Sequence, residues 1–203
     1  ASYGGVKASQ ALADVVYGRY NPTGKLAATV YPPSFVHEIP LTEMGLSVGV
    51  GRTYMYYTGT PEFEFGHGLS YSAWTVDWIQ GTSKKALVLD ESQSTLKLQV
   101  NVTNLGPKRG SQSVLLFWRL ANDDRIRQKL AGFQGTSLLD VGQSTILEFV
   151  INRQTFGLWN DETENLTTLA GVYELEARTS SRLCKQYIQV DPFQHRVSAS
   201  SNR

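Results

Sequence analysis

The chain has 203 residues, 41% hydrophobic and 18% charged, with 19 Lys and Arg against 18 Asp and Glu for a net charge of +1. The cations are dispersed, which argues against a nucleic-acid surface, and no apolar run approaches the roughly 20 residues that a membrane-spanning helix needs. The single cysteine, Cys184, forbids an internal disulfide and leaves the redox compartment open.

Ala1 to Gly5 shows neither an initiator Met nor the charged and apolar regions of a signal peptide, so the sequence reads as starting inside a larger unit. Val6, Ala8, Ala11, Leu12, Val15 and Val16 fall at mainly helical spacing and predict a helix over 6–17, with Gly18 as its stop. Asn21-Pro22-Thr23-Gly24 is a turn, and Leu26 to Tyr31 reads as a short strand closed by Pro32-Pro33. A helix and one strand cannot enclose a core, so this part must lean on something larger. From Pro32 to Gly68 there is no sustained period. The stretch carries Phe35, Tyr54, Tyr56, Tyr57, Phe63 and Phe65, which favours packing across another surface over disorder.

After Tyr71 the pattern changes to short alternating strands. Trp74, Val76 and Trp78 share one face. Leu96, Leu98, Val100 and Val102 share another, with Lys97, Gln99, Asn101 and Thr103 outward. Further strands are predicted over Val114 to Leu120, Leu130 to Thr136, Thr145 to Ile151, Val172 to Arg178 and Lys185 to Val190. Such a series describes a two-sheet sandwich of the immunoglobulin or fibronectin III type, and Gln194 to Arg203 is a polar tail.

Glycosidase chemistry needs two carboxyl groups flanking the bond. Glu62 and Glu64 stand two apart in an extended segment, and Asp161, Glu162 and Glu164 form an acidic loop; both groups read as solvated surface, because nothing nearby suggests the burial that tunes a general acid. His37, His67 and His195 lack metal-ligand spacing, so no zinc site is implied. Gly49-Val50-Gly51-Arg52 lacks the third glycine and the strand of a dinucleotide loop, and no serine sits in a G-x-S-x-G turn. Cys184 shares a strand face with Ile188 and Val190 and reads as a small buried hydrophobe. Two sequons, at Asn101 and Asn165, are candidate N-glycosylation sites and lean towards secretion.

Certain segments nevertheless carry a family resemblance. Ala13-Asp14-Val15-Val16-Tyr17-Gly18 and Asn21-Pro22-Thr23-Gly24-Lys25-Leu26, with Thr29, resemble the segment closing the α/β-sandwich domain of family 3 glycoside hydrolases. Tyr31-Pro32, Val36 to Met44, and Gly51-Arg52-Thr53-Tyr54 through Gly59 are similar to the linker of that family's β-xylosidase branch. Phe65-Gly66-His67-Gly68-Leu69-Ser70-Tyr71 resembles the start of its final domain, with Ser72 where Thr is usual. Val102-Thr103-Asn104-Leu105-Gly106, Lys129-Leu130-Ala131-Gly132-Phe133 and Ala170-Gly171-Val172-Tyr173 are similar to landmarks of its fibronectin-like domain. Ala27 replaces the usual Pro, and Leu46 to Val50 departs from the common form.

The resemblance implies a mainly β chain: the end of an α/β-sandwich domain over 1–31, a linker over 32–70, a fibronectin III-like sandwich over 71–191 and a flexible tail over 192–203. It implies the C-terminal portion of a secreted retaining enzyme that removes terminal β-linked xylose, without cofactor or metal. The catalytic carboxylates, about 5–5.5 Å apart in retaining enzymes, belong to the N-terminal (β/α)8 barrel and α/β domains, which would be this segment's partners. No catalytic residue is expected here. Arg52 and His67 are the candidate substrate-proximal side chains, Arg52 for carboxylate or hydroxyl pairing and His67 for a hydrogen bond at a tight approach. The alternatives are a β-glucosidase or α-L-arabinofuranosidase of the same family, or a non-catalytic fibronectin-like interaction module.

Overall fold

Alternating apolar residues bury only when two sheets close on each other, and a computed structural model of the protein, describing residues 5–79, 87–89, 95–160 and 162–191, has that arrangement. In chain order the strands are β1 (Ala73–Trp78), β2 (Leu87–Leu89), β3 (Thr95–Gly106), β4 (Ser113–Leu120) and β5 (Lys129–Gly135), then β6 (Ser144–Asn152), β7 (Leu158–Asn160), β8 (Asn165–Thr167), β9 (Gly171–Arg178) and β10 (Leu183–Val190). One sheet runs β1-β3-β6 and the other β2-β10-β9-β4-β5, while β7 and β8 form a separate hairpin. All pairs are antiparallel except β2 with β10.

The inward faces are those that the alternation predicts. Trp74, Val76, Leu98, Val100, Val102, Leu147, Phe149 and Ile151 from one sheet meet Val114, Leu116, Trp118, Tyr173, Leu175, Ala177, Ile188 and Val190 from the other. Each large side chain contributes roughly 1.5–3 kcal/mol on burial. The rings of Trp118, Phe156 and Tyr173 meet at 4.5–5.6 Å. The Tyr173 hydroxyl donates to the Leu169 carbonyl at 2.9 Å, four residues upstream, as in the tyrosine corner of immunoglobulin-type sandwiches.

Strand β4 is buried on both faces. Val114, Leu116 and Trp118 enter the sandwich core, and Leu115 and Phe117, pointing the other way, are buried too. What covers them is the long segment without periodicity. Tyr54 stacks on Phe65 at 4.3 Å, and both rings stand edge-on to Phe117 at 6.1 Å. Gly66, at a φ of +82° that side chains rarely adopt, lies so close that a Cβ there would come within 2.2 Å of Leu115 Cδ1 and displace it. Tyr31, Phe35 and Tyr57 form a second aromatic cluster with centroids 4.0–5.5 Å apart.

One expectation needs correcting. Leu26 to Tyr31 is not a strand: it runs against the 62–67 segment with one isolated bridge, Val30 to Phe63, and a second tie at Leu26. Leu26 N–H donates to the His67 carbonyl and Val30 N–H to that of Phe63, but the intervening residues bend away, so no ladder propagates. The linker also holds local structure, a 3-10 turn at Pro33–His37 opened by proline and a one-turn helix, α2, at Thr53–Tyr56. Elements of five and four residues are too short to print a period on the sequence. The N-terminal helix, α1, spans Ala8–Val16, within the predicted range, and Gly18 at φ +68° ends it. The polar tail lies outside the described residues.

Helix α1 has no buried residue. Leu12, Val16, Tyr17, Val36, Leu41 and Met44 are each at least 60% exposed, so this third of the chain presents apolar surface and encloses little of its own. Leu116→Ala, which empties a fully buried site, is expected to cost about 2–5 kcal/mol, whereas Leu12→Ala on α1 should stay within about 0.5 kcal/mol. Denaturant midpoints for the two variants check this, and equal losses would contradict the packing described.

Candidate functional site

Three of the residues singled out by sequence, Arg52, Glu64 and His67, lie in the linker. Arg52 follows Gly51, whose φ of +74° brings it against the Tyr56 carbonyl, where a Cβ would stand 2.3 Å from the oxygen. The Arg52 guanidinium donates to the Glu43 carbonyl through Nη1 and to that of Pro40 at 2.8 Å through Nη2, while its backbone N–H reaches Leu46 O at 2.7 Å. These bonds staple loop 40–52. Thr53, next in line, takes φ +62°, rare for a β-branched residue, and its N–H donates to the Tyr31 hydroxyl at 2.6 Å.

His67 closes a turn in which its N–H donates to Glu64 O at 2.9 Å. Its exposed ring lies 5.0 Å from that of Phe63. Gly68 is required by contact, since a Cβ would meet Gly24 O at 2.4 Å and Lys25 Cδ at 2.8 Å. Burial pushes the Lys25 ammonium down to about 8. Arg52 and His67 thus each serve their own loop.

Glu64 departs from the solvated reading. Its Oε1 accepts from Arg127 Nη2 at 3.0 Å and its Oε2 from Arg178 Nη1 at 2.9 Å, so one linker carboxylate joins two arginines of the sandwich. Arg178 also pairs with Glu176 at 2.5 Å and lies 5.0 Å over the Phe117 ring. Arg127 further donates from Nη1 to Tyr57 O at 3.3 Å and from its backbone to Met55 O at 2.6 Å. Glu62 is exposed, as expected, and Glu162 and Glu164 sit in solvent on the β7–β8 turn. Asp161 and His195 lie outside the described residues.

A buried carboxylate that the sequence reading missed is Glu174, on β9. It is opposite Arg119 in register, with the guanidinium at 3.0 Å and the Lys185 ammonium at 2.7 Å. Burial raises its pKa, but the bonds from Arg119 and Lys185 outweigh this and hold it below the usual carboxylate range. Cross-strand spacing was its only sequence signal. Cys184 packs against the core, and burial pushes its thiol up to about 12, as its strand face suggested. Among the described residues no group of three or more His, Cys, Asp or Glu could hold a metal ion.

A second joint fixes the 13–24 segment. Buried Asn21 accepts at Oδ1 from Ser70 Oγ at 2.9 Å and Tyr71 N–H at 2.8 Å, and its Nδ2 donates to Ser72 Oγ at 3.3 Å. The Tyr71 hydroxyl donates to Val15 O and Lys108 Nζ to Gly18 O, each at 2.6 Å. The sequons differ in setting. Asn101 is half-buried in β3 between Asp77 of β1 and Ile146 of β6, whereas Asn165 is exposed at the start of β8.

Comparison with known proteins agrees with this architecture. Residues 1–71 match the glycosyl hydrolase family 3 C-terminal domain, and residues 112–181 match the fibronectin type III-like domain. A xylan 1,4-beta-xylosidase of Xylanibacter ruminicola is 32% identical over 88% of this chain and 20% of its own length. A probable exo-1,4-beta-xylosidase of Aspergillus clavatus is 29% identical over 85% of this chain and 24% of its own. Among solved structures, a GH3 exo-beta-xylosidase in complex with a xylobiose aziridine probe superposes with a TM-score of 0.81 at 25% identity, covering 94% of this chain and 27% of that one. The chain therefore spans about a fifth to a quarter of the length of these relatives.

The weight of the Glu64 joint is measurable. Glu64→Gln is expected to destabilise the chain by about 1 kcal/mol, since the groups are partly exposed, with the difference shrinking as salt is raised to 1 M. Urea midpoints at low and high salt read this out; no change at low salt would remove the ionic account of the joint.

Proposed function

This chain belongs to glycosyl hydrolase family 3, and we propose from that membership that it completes a secreted retaining exo-glycosidase which removes terminal β-linked xylose from xylo-oligosaccharides, contributing architecture while other parts of the protein supply the catalytic carboxylates. The observation that carries this reading is how the candidate side chains are used. Arg52 staples its own loop, and both oxygens of Glu64 are taken by arginines. The apolar surface from α1 to Met44 fits a role beneath barrel and α/β-sandwich domains, since exposed patches of this kind mark contact surfaces. The β-xylosidase relatives favour xylose over glucose as the sugar removed. A free-standing interaction module would have no need of the Asn21 joint, which ties the 13–24 segment to the sandwich.

The test compares the chain alone with the chain fused behind the barrel and α/β domains of a family relative whose own C-terminal quarter has been removed. The isolated chain should give no turnover of an aryl β-xyloside, because nucleophile and acid/base must both be supplied, and the fusion should restore it. Sustained hydrolysis by the purified chain alone would refute the architectural role. Preference of the fusion for aryl glucoside over xyloside would favour the β-glucosidase reading.

The secretion reading has its own check. Directed through a glycosylating secretory pathway, the chain is expected to carry its glycan at Asn165, on an exposed hairpin, in preference to Asn101, whose sequon hydroxyl on Thr103 is bonded to Ser144 within the sheet. Intact mass should fall by one glycan in Asn165→Gln and stay unchanged in Asn101→Gln. Occupancy at Asn101 alone would overturn this choice.

A further inference from the structure

A cleft of about 280 Å³ opens between residues 61–68 and the end of β9, walled by Glu62, Phe63, His67, Arg178 and Ser180 among others. Its walls are rigid for a surface feature. Gly66 is pressed on Leu115, Leu26 N–H holds the His67 carbonyl at 2.8 Å, and Arg178 is fixed by Glu64 and Glu176. The Phe63 and His67 rings, 5.0 Å apart and inclined at 48°, offer an aromatic floor, and both residues are exposed. Around it stand Glu62, Arg178 and Ser180, the last with its hydroxyl donating to Gln112 Oε1 at 3.3 Å and free to accept.

We propose that this cleft binds a single neutral pyranose ring, a reading that rests on the family assignment above for its choice of ligand. An aromatic face beside a few convergent polar groups is what a sugar requires: ring C–H groups lie on the aromatic surface, and hydroxyls exchange hydrogen bonds with planar charged side chains. The volume holds one ring and excludes an oligosaccharide from lying within it. Arg178 is already neutralised by Glu64 and Glu176, and Glu62 adds negative charge, so an anionic ligand is disfavoured. With few contacts and an open mouth, affinity is on the order of millimolar.

D-Xylose titrated into the isotope-labelled 203-residue chain, followed through backbone amide resonances, tests the proposal. Saturable shifts confined to residues 61–68 and 178–180 are expected. Phe63→Ala should weaken binding roughly threefold to tenfold, and Ser180→Ala, which leaves the aromatic floor intact, should weaken it less. If Phe63→Ala disturbs the fold, seen as shifts across the sheets, Glu62→Gln takes its place and should also weaken binding. Absence of saturable shifts at these amides, saturation elsewhere, or an equal response to glycerol at matched hydroxyl concentration would overturn the site. These outcomes are separable from the family reading: xyloside turnover by the fusion without binding here sinks only the cleft, and binding without turnover sinks only the proposed activity.

Discussion

Strand β4 carries large apolar residues at five consecutive positions, Val114 to Trp118, and no two-sheet sandwich can bury both of its faces by itself. One face belongs to the core between the sheets. The other must be kept from water by something outside the sandwich, and among the described residues the segment that precedes β1 supplies that cover. That requirement turns a stretch without secondary-structure signal into a fixed layer, with Tyr54 and Phe65 laid over Phe117 and Gly66 pressed against Leu115. The linker and the sandwich are in this sense one folding problem.

Apolar cover alone does not fix how a layer sits, because hydrophobic burial is non-directional. Direction comes from the Glu64 joint, where one carboxylate addresses guanidiniums from the β4–β5 loop and from the end of β9, and from the Asn21 joint, where one amide satisfies three groups around the start of β1. Both lie at the margins of the aromatic layer. Arg178 serves each kind of contact, since it meets Glu64 through its nitrogens and Phe117 through its guanidinium face.

This economy of charged groups bears on function. Among the described residues, Glu64 is tied to arginine and Glu62, Glu162 and Glu164 are left in solvent, while Arg52 holds a loop together. Among the described residues, the most exposed large apolar side chains include Leu12, Val16, Tyr17, Val36, Leu41 and Met44 of the first third of the chain. In the role proposed above, a segment built this way would contribute shape and contact area to a larger enzyme; the relatives are four to five times its length.

The sequence by itself determined the sandwich: period-two alternation in β3, β6 and β9 is a local signal, and it named Leu98, Phe149 and Tyr173 as inward before any fold was known. It also determined the family, through short segments such as Asn21 to Leu26 and Phe65 to Tyr71. The helix at Ala8–Val16 was legible for the same reason of local spacing. Only the tertiary structure decided what the linker does and which acids matter. Glu64 and Arg178 are 114 residues apart, and Asn21 and Ser72 are 51 apart, so no window on the sequence contains both partners. Leu26 to Tyr31 had the composition of a strand, but a strand needs a continuous partner, and the 62–67 segment supplied contact only at the ends. Local chemistry fixes the period of a segment; whether an exposed edge, a carboxylate or a glycine acquires a partner depends on what the rest of the chain brings beside it.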